Sequence, residues 1–422
     1  MISKGALDLY GAFSLLNGEA CFQEIAWKEE LERSAEAGLF SSEMDEKRAL
    51  YDLLAPCADK LPPWGILTGV RPAKRYRELR KEYDAIEACE RMHARDHVSL
   101  EKIKKLETVY EATAEITVAP EDIIVYVHIP FCPSRCVFCS FTTYVVNGKE
   151  DPRLVAYEQK LLYEIQSELK LLHNRKIRAF YIGGGTPTML PPAFYEKLLA
   201  ILKPYFSHVP ELTIEAGRVD TFDEWDLYAL KELGFTRISI NPQTFTPSVQ
   251  KKIHRELDEN QFERMFHCAK ELFVVNMDLI AGLPGETAES FRESLDRVLY
   301  YRPHNLSVHA LAKKSKAELT REEIRAMEFE EPVGYTPYYL YRQKEIAGAA
   351  ENTGYTLPGH HCLYNVLVME EWTDVLGFGV GAVSHFTIGD QRLRIPNTKD
   401  LTRYFNGHYR TLLEKWQQKK SV

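Results

Sequence analysis

Between residues 120 and 312 the chain alternates short β-branched runs with longer stretches of helical apolar spacing, and no other feature constrains its fold as much. Six runs read as strands: Ile123 to His128, Arg178 to Ile182, Leu212 to Ile214, Arg237 to Ile240, Asn276 to Ile280 and Leu306 to Leu311. The segments between them, such as Leu154 to Leu172 and Ala288 to Tyr300, carry apolar residues at helical spacing, with Pro and Gly punctuating the turns. Repeated βα units of this kind wind around a parallel sheet. The expected fold class is therefore α/β, with an open, partial (β/α)6 barrel of the TIM type. Such sheets carry their chemistry at the carboxyl ends of the strands.

The 422 residues suffice for two or three domains. Residues 1–118 read as a helical accessory region, 119–329 as the barrel and 330–422 as a C-terminal α+β domain. The accessory region has charged helical segments around Glu29 to Ala37, Glu43 to Leu54 and Leu100 to Ala114. Between them stands Trp64-Gly-Ile-Leu-Thr-Gly-Val-Arg-Pro72, which reads as a loop anchored by its tryptophan. The last section is expected to begin with a tyrosine-rich helix (Tyr335, Tyr338, Tyr339, Tyr341) and contains Gly377-Phe-Gly-Val-Gly-Ala-Val-Ser384.

Fifty-three basic against sixty-one acidic side chains give a formal charge of −8, which argues against a general nucleic-acid surface. No apolar run approaches the roughly 18 residues that span a bilayer, and the start of the chain lacks a signal-peptide pattern. A cytoplasmic location is expected. Cys21, Cys57, Cys89, Cys268 and Cys362 are scattered without paired spacing, as in a reducing compartment.

The other three cysteines are not scattered. Cys132, Cys136 and Cys139 lie in Tyr126-Val-His-Ile-Pro-Phe-Cys-Pro-Ser-Arg-Cys-Val-Phe-Cys-Ser-Phe141, just after the first expected strand. Three thiolates without a fourth fit a four-iron, four-sulfur (4Fe-4S) cluster with one iron left open to a small molecule. Structural zinc is the alternative, but it takes four ligands in two separated pairs, and no second pair follows. After the second strand, Tyr181-Ile-Gly-Gly-Gly-Thr-Pro-Thr188 forms a turn without side chains, where a ligand can approach the backbone.

The Cys-x3-Cys-x2-Cys run, with aromatic Phe138 before its last cysteine, resembles the signature of radical S-adenosylmethionine (SAM) enzymes. The flanking Tyr126-Val-His-Ile-Pro-Phe131 narrows the resemblance to oxygen-independent coproporphyrinogen III oxidases and their relatives. It covers roughly residues 60–410, and Thr68-Gly-Val-Arg-Pro72 resembles an element of a subgroup called coproporphyrinogen dehydrogenases. The resemblance implies that the open iron is chelated by the amino and carboxylate groups of SAM. It implies that Gly184, Gly185 and Thr186 hold the amino end of SAM, and that Glu215, Gln243, Arg255 and Asp278 contact the rest of it. Tyr126 matches a SAM-contacting tyrosine, or is a strand aromatic facing the core; Ala312 and Val383 align loosely with positions lining the adenosine pocket, or simply pack.

The implied reaction is oxidative decarboxylation of coproporphyrinogen III to protoporphyrinogen IX, with an electron donor whose identity the sequence does not reveal. Four propionates on such a substrate call for basic side chains. Arg135, Arg218, His309 and Lys313 are the candidates. Where the best-known bacterial oxidases carry a fourth cysteine, this chain has Phe141. Two rival readings remain: a haem-binding chaperone of the same family, with His360 or His361 as iron ligand, and a haem-modifying, methyltransferase-like relative. The chaperones typically carry His-Asn-x-x-Tyr-Trp where this chain reads Gly359-His-His-Cys-Leu-Tyr-Asn365.

Overall fold

The computed structural model describes residues 2–17, 19–22, 26–69, 71–206, 208–311, 320–342, 350–389 and 391–407. The strands are β1 (Asp122–Ile129), β2 (Phe131–Cys132), β3 (Tyr144–Val145), β4 (Lys176–Gly184), β5 (Leu212–Gly217), β6 (Arg237–Ile240), β7 (Val274–Ala281), β8 (Asn305–Ala310), β9 (Thr336–Tyr341), β10 (Asn352–Thr356), β11 (Asp374–Phe378), β12 (Val383–Ile388) and β13 (Gln391–Pro396). Eleven of them form one mixed sheet in the order β13-β12-β11-β1-β4-β5-β6-β7-β8-β10-β9, and β2 pairs separately with β3.

The parallel run from β1 through β8 is the expected set of six strands, so the α/β reading as an open, partial barrel holds. Strands β1 and β4 are mostly apolar, every residue of β6 is buried and only Tyr126 of β1 is partly exposed. Strands β5 to β8 alternate apolar residues with polar ones (Thr213 and Glu215, Arg237 and Ser239, Asn276 and Asp278, Ser307 and His309) that line the space inside the sheet. The covering helices are α7 (Pro152–Glu168), α8 (Pro192–Leu202), α9 (Glu224–Glu232), α10 (Pro247–Lys252), α11 (Glu259–Leu272) and α12 (Ala288–Tyr301), with the short α13 (Arg321–Arg325) after β8. Of these, α7, α9, α11 and α12 start on side-chain caps. In α7, Asp151 accepts from the Arg153 amide and Pro152 occupies the first turn. In α12, Thr287 and Ser290 cap each other reciprocally.

The C-terminal section extends this sheet at both sides. Strand β11 pairs in parallel with β1, from Ile123 opposite Asp374 to Val127 opposite Phe378. On the other side, β10 and β9 continue from β8 in antiparallel sense. The expected tyrosine-rich helix is β9 instead. Tyrosine favours strands, and the alternation decides: Tyr339 and Tyr341 stack on the inner side while Leu340 joins the apolar cluster of the accessory region. A short helix, α14 (Leu363–Met369), fills the concave side of the sheet, packing on β4 and β9. Its first turn is held by Glu211, whose carboxylate accepts from the Leu363 and Tyr364 amides at 2.8 and 2.9 Å.

The accessory helices are α1 (Lys4–Asn17), α2 (Trp27–Glu36), α3 (Glu43–Leu54), α4 (Pro72–Glu82), α5 (Ala85–Asp96) and α6 (Leu100–Ala112). They cover edge strand β9, chiefly through α6, which removes an unpaired edge from solvent. Trp64 is buried there, its Nε1 donating to Glu351 at 3.2 Å, with Lys102 and Arg342 over its ring. Arg71, of the Thr-Gly-Val-Arg-Pro element, pairs with Glu371, and Arg77 pairs with Glu370 at 3.0 Å. That element thus ties the accessory region to the end of α14.

Candidate active site

The sheet geometry brings three chain segments together at the carboxyl ends of β1 and β4. The first is the cysteine loop. Cys132 lies in β2, Cys136 is buried, and Phe138 packs into an apolar seat of Val249, Ile253, Ile280 and Leu283. The Val137 amide donates to the Ile253 carbonyl at 3.2 Å, which fixes the loop to α10 (Pro247–Lys252) and the residue after it. The second segment is the glycine turn. Its Gly185 and Thr186 amides donate to the carbonyls of Ile129 and Phe131 at 2.8 and 2.7 Å, and the Thr186 hydroxyl donates to Cys132 Sγ at 3.2 Å. Burial pushes the Cys132 thiol above its ordinary range, the neighbouring cysteines add to this, and the Thr186 hydrogen bond opposes it.

The third segment is Gly377 to Ser384. Gly379 lies in the left-handed region at φ +94°, and a Cβ there would meet the His128 carbonyl and the Tyr157 hydroxyl at 2.5 Å. Glycine is required for that approach. Gly184, at φ +113°, is similar: a Cβ would stand 2.6 Å from the His128 ring. A side chain at Gly184 therefore strikes His128 first. His128 itself is buried and neutral, its pKa lowered to about 4 by burial. Because its Nε2 faces the Thr142 carbonyl at 3.2 Å, Nε2 carries the proton and Nδ1 accepts from the Tyr126 hydroxyl at 3.1 Å.

Inside the sheet, Glu215, Asp278 and His309 line a cavity of about 120 Å³ with Tyr181, Thr213, Ser239, Ser307, Tyr341 and Cys362. The Tyr181 hydroxyl donates to Glu215 at 2.5 Å and the Gly184 amide reaches the same carboxylate at 3.4 Å. Burial still pushes Glu215 up to about 7; these hydrogen bonds oppose the rise and nearby Asp278 adds to it. Asp278 accepts from Asn276 Nδ2 at 2.7 Å, with His309 Nε2 at 4.0 Å. Tyr126, Tyr181 and Tyr364 stack beside this pair, Tyr181 and Tyr364 at 3.9 Å between centroids. Tyr181, Tyr364 and His128 are the parts of the site that the sequence reading missed. Tyr181 and Tyr364 stood in plain sight within the glycine and Gly-His-His motifs, but only the fold turns them toward Glu215.

Gln243 follows β6 at φ +66°, rare for a non-glycine residue, and its buried Oε1 has no partner. Arg255 donates to the Gly217 and Asn241 carbonyls and stands 3.8 Å from Cys136 Sγ. Val383 opens β12, its backbone against Gly377. Of the substrate candidates, Arg135 is exposed, Arg218 is engaged by Asp220 and Ser134, and His309 faces the cavity. Ala312 and Lys313 lie outside the described residues. His360 and His361 lie at the other end of the barrel, where their carbonyls accept from Arg237 at the start of β6.

A backbone cradle at Gly184 and Gly185, partly buried carboxylates on β5 and β7 and an unpartnered Gln243 oxygen are what a polar cofactor lying over the strand ends requires. The three cysteine thiolates on the loop beside them are the donor set of a four-iron cluster with one iron left open. The fold and this site define a radical SAM protein, and the Radical SAM superfamily model matches residues 126–298. The cofactors of the class are a four-iron, four-sulfur cluster and SAM.

The oxygen-independent coproporphyrinogen-III oxidase-like protein HemZ of Bacillus subtilis (strain 168) is 34% identical over 410 residues, covering 86% of this chain and 81% of that one. The chain belongs to this coproporphyrinogen oxidase-like family. The heme chaperone HemW of a Synechocystis species is 30% identical, over 69% of this chain and 70% of its own. Among solved structures, coproporphyrinogen III oxidase (HemN) from Escherichia coli, a radical SAM enzyme, superposes with a TM-score of 0.56 at 28% identity, covering 70% of each chain. No helix among the described residues is long and apolar enough to cross a membrane.

Proposed function

We propose that this protein catalyses the oxygen-independent oxidative decarboxylation of coproporphyrinogen III to protoporphyrinogen IX, in the cytoplasm, in porphyrin and haem biosynthesis. The observation that carries the reading is the convergence of the cysteine loop, the glycine turn and the Glu215–Asp278 pair on one end of the barrel, beside a polar cavity. Cys132, Cys136 and Cys139 hold the cluster, and Gly184, Gly185, Thr186, Glu215, Gln243, Arg255 and Asp278 hold SAM. Together these cofactors supply a 5'-deoxyadenosyl radical able to take a hydrogen atom from a propionate side chain.

The chain's own residues orient and shield. The Gly184 amide and the Tyr181 hydroxyl keep Glu215 aimed at a ribose or amino group. Stacked Tyr126, Tyr181 and Tyr364 close the interior with aromatic surface, which keeps water from a reactive intermediate. His309 is the basic side chain nearest Asp278, suited to a substrate carboxylate. Against the chaperone reading, the His360 and His361 carbonyls are tied to Arg237 at the far end of the barrel. Resemblance to the heme chaperone HemW keeps that reading as the alternative to be tested.

Anaerobic incubation of reconstituted protein with a reductant, SAM and coproporphyrinogen III tests the proposal. The expected result is loss of carbon dioxide and two hydrogens in each of two successive rounds, with one vinyl group formed per round. In each, one hydrogen is taken by the 5'-deoxyadenosyl radical and the other leaves as a proton, while one electron passes to a one-electron acceptor included in the incubation. Protein that cleaves SAM and binds haem without releasing carbon dioxide overturns it in favour of the chaperone.

A further inference from the structure

One buried carboxylate has no part in the site as described. Glu164, on α7, is fully buried at the core of the molecule. Its Oε2 accepts from the Gly379 amide at 3.0 Å and from the Tyr404 hydroxyl; its Oε1 accepts from Asn397 Nδ2 at 2.9 Å. A buried acid is costly unless such donors surround it, and an apolar residue would fill the same space without them. The donors come from three segments: the glycine-rich Gly377 to Ser384 turn, the residues after β13, and α15 (Leu401–Phe405).

The next amide of the turn is held from the same helix face. Val380 donates to the Tyr157 hydroxyl at 3.1 Å, and Tyr157 donates to the His128 carbonyl at 2.7 Å. Tyr157 and Glu164 are seven residues apart on α7, two turns along one stripe. The turn is closed from its other side by Gly381 donating to the Thr398 carbonyl at 2.7 Å and Asn397 donating to the Ala382 carbonyl at 2.8 Å. Glu164 therefore joins, through hydrogen bonds to peptide and side chain, the glycine-rich turn, the C-terminal segment that braces it and, through α7, the strand that leads into the cysteine loop.

We infer that Glu164 is a positioning residue for SAM: by fixing the Gly379 peptide it sets the distance between the glycine-rich turn and the cysteine loop, and so the width of the adenosine side of the cofactor site. This rests on the reading, implied by the family resemblance, that Val383 in the Gly377 to Ser384 segment lines the adenosine pocket. The role is one of placement, since the carboxylate lies behind the turn.

The test compares two ligands of reconstituted protein under anaerobic conditions: SAM, which needs both the open iron and the adenosine wall, and methionine, which offers the iron the same amino and carboxylate groups but no adenosine. In Glu164→Gln the amide nitrogen must face the Asn397 amide, whose Oδ1 is already held by the Thr398 amide at 2.8 Å, so two donors oppose each other. SAM affinity should fall by about tenfold or more while iron content and methionine binding stay at the parent level. In Glu164→Gln with Asn397→Asp the carboxylate moves to the opposite partner and all the contacts can form, so SAM affinity should return to within about threefold of the parent.

Parent-like SAM affinity in Glu164→Gln overturns the inference, as does equal weakening of SAM and methionine, which would locate the effect at the cluster. Recovery of thermal stability in the double variant without recovery of SAM affinity overturns it too. A parent protein that binds methionine but not SAM refutes the adenosine reading itself, a different outcome from any of these.

Discussion

Replacing Tyr181 with Phe should move the pH dependence of SAM binding by an amount that the structure bounds. Glu215 stands at about 7 in the parent because burial favours its neutral form, against the pull of the Tyr181 hydroxyl at 2.5 Å and the Gly184 amide. A hydrogen bond to a charged group is worth roughly 1.5–3 kcal/mol, and about 1.4 kcal/mol corresponds to one pKa unit, so losing it raises the midpoint by about one to two units. The sign follows from the acid. Its ionised form accepts hydrogen bonds from the cofactor, so affinity is present above the midpoint and lost as the pH falls through it. At pH 7.5 the ionised fraction drops from about three quarters to between about a quarter and about 3 per cent, which weakens SAM by about three- to twenty-five-fold and recovers near pH 9.5. Anaerobic equilibrium dialysis of cluster-loaded protein between pH 6 and 9.5 measures this. An unmoved midpoint in Tyr181→Phe, or a loss of affinity that no alkaline pH restores, would refute the assignment of Glu215 as an ionised cofactor ligand.

Four further outcomes are expected. Cys136→Ala should leave reconstituted protein without its four irons and four sulfides, by chemical analysis; full iron loading, or one tightly bound zinc, contradicts the cluster. Gly184→Val, with its Cβ 2.6 Å from the His128 ring at φ +113°, should keep the cluster but lose SAM affinity by more than about tenfold in the same dialysis assay. Trp64→Ala removes the buried anchor of the accessory region and should cost about 3–5 kcal/mol in denaturant unfolding, with a smaller loss contradicting the anchoring role. Burial raises Glu168 and Glu286 to about 7, so their stability is present below the ordinary carboxylate range and lost as pH rises through that value. Burial lowers His128, His304 and His385 to about 4, so their stability is present above the ordinary histidine range and lost as pH falls. The carboxylates lose stability as pH rises from 4.5 to about 7 and the histidines as it falls from 6.5 to about 4, so melting temperature should peak where these windows overlap. Glu168→Gln, which neutralises a carboxylate with an unpartnered Oε2, should flatten the alkaline limb.

The sequence by itself determined whatever is written in local pattern. All six parallel strands were legible because each is a short local run, apolar in β1 and alternating apolar with polar residues in β5 to β8, and helices such as α12 carry their caps in adjacent residues. The cysteine loop and glycine turn were legible for the same reason: each is a single contiguous segment whose spacing states its chemistry. Only the tertiary structure decided what depends on distant partners. Tyr335 to Tyr341 offered aromatic residues that suit either period, and pairing with β10 made them a strand. The placement of β11 beside β1 joins residues about 250 apart, which no local pattern encodes. Tyr181 and Tyr364 come to face Glu215, and Glu164 comes to hold Gly379, because long-range strand pairing and the packing of α7 and α14 bring them there. Side-chain identity fixes what such groups can do; the fold alone fixes which of them meet.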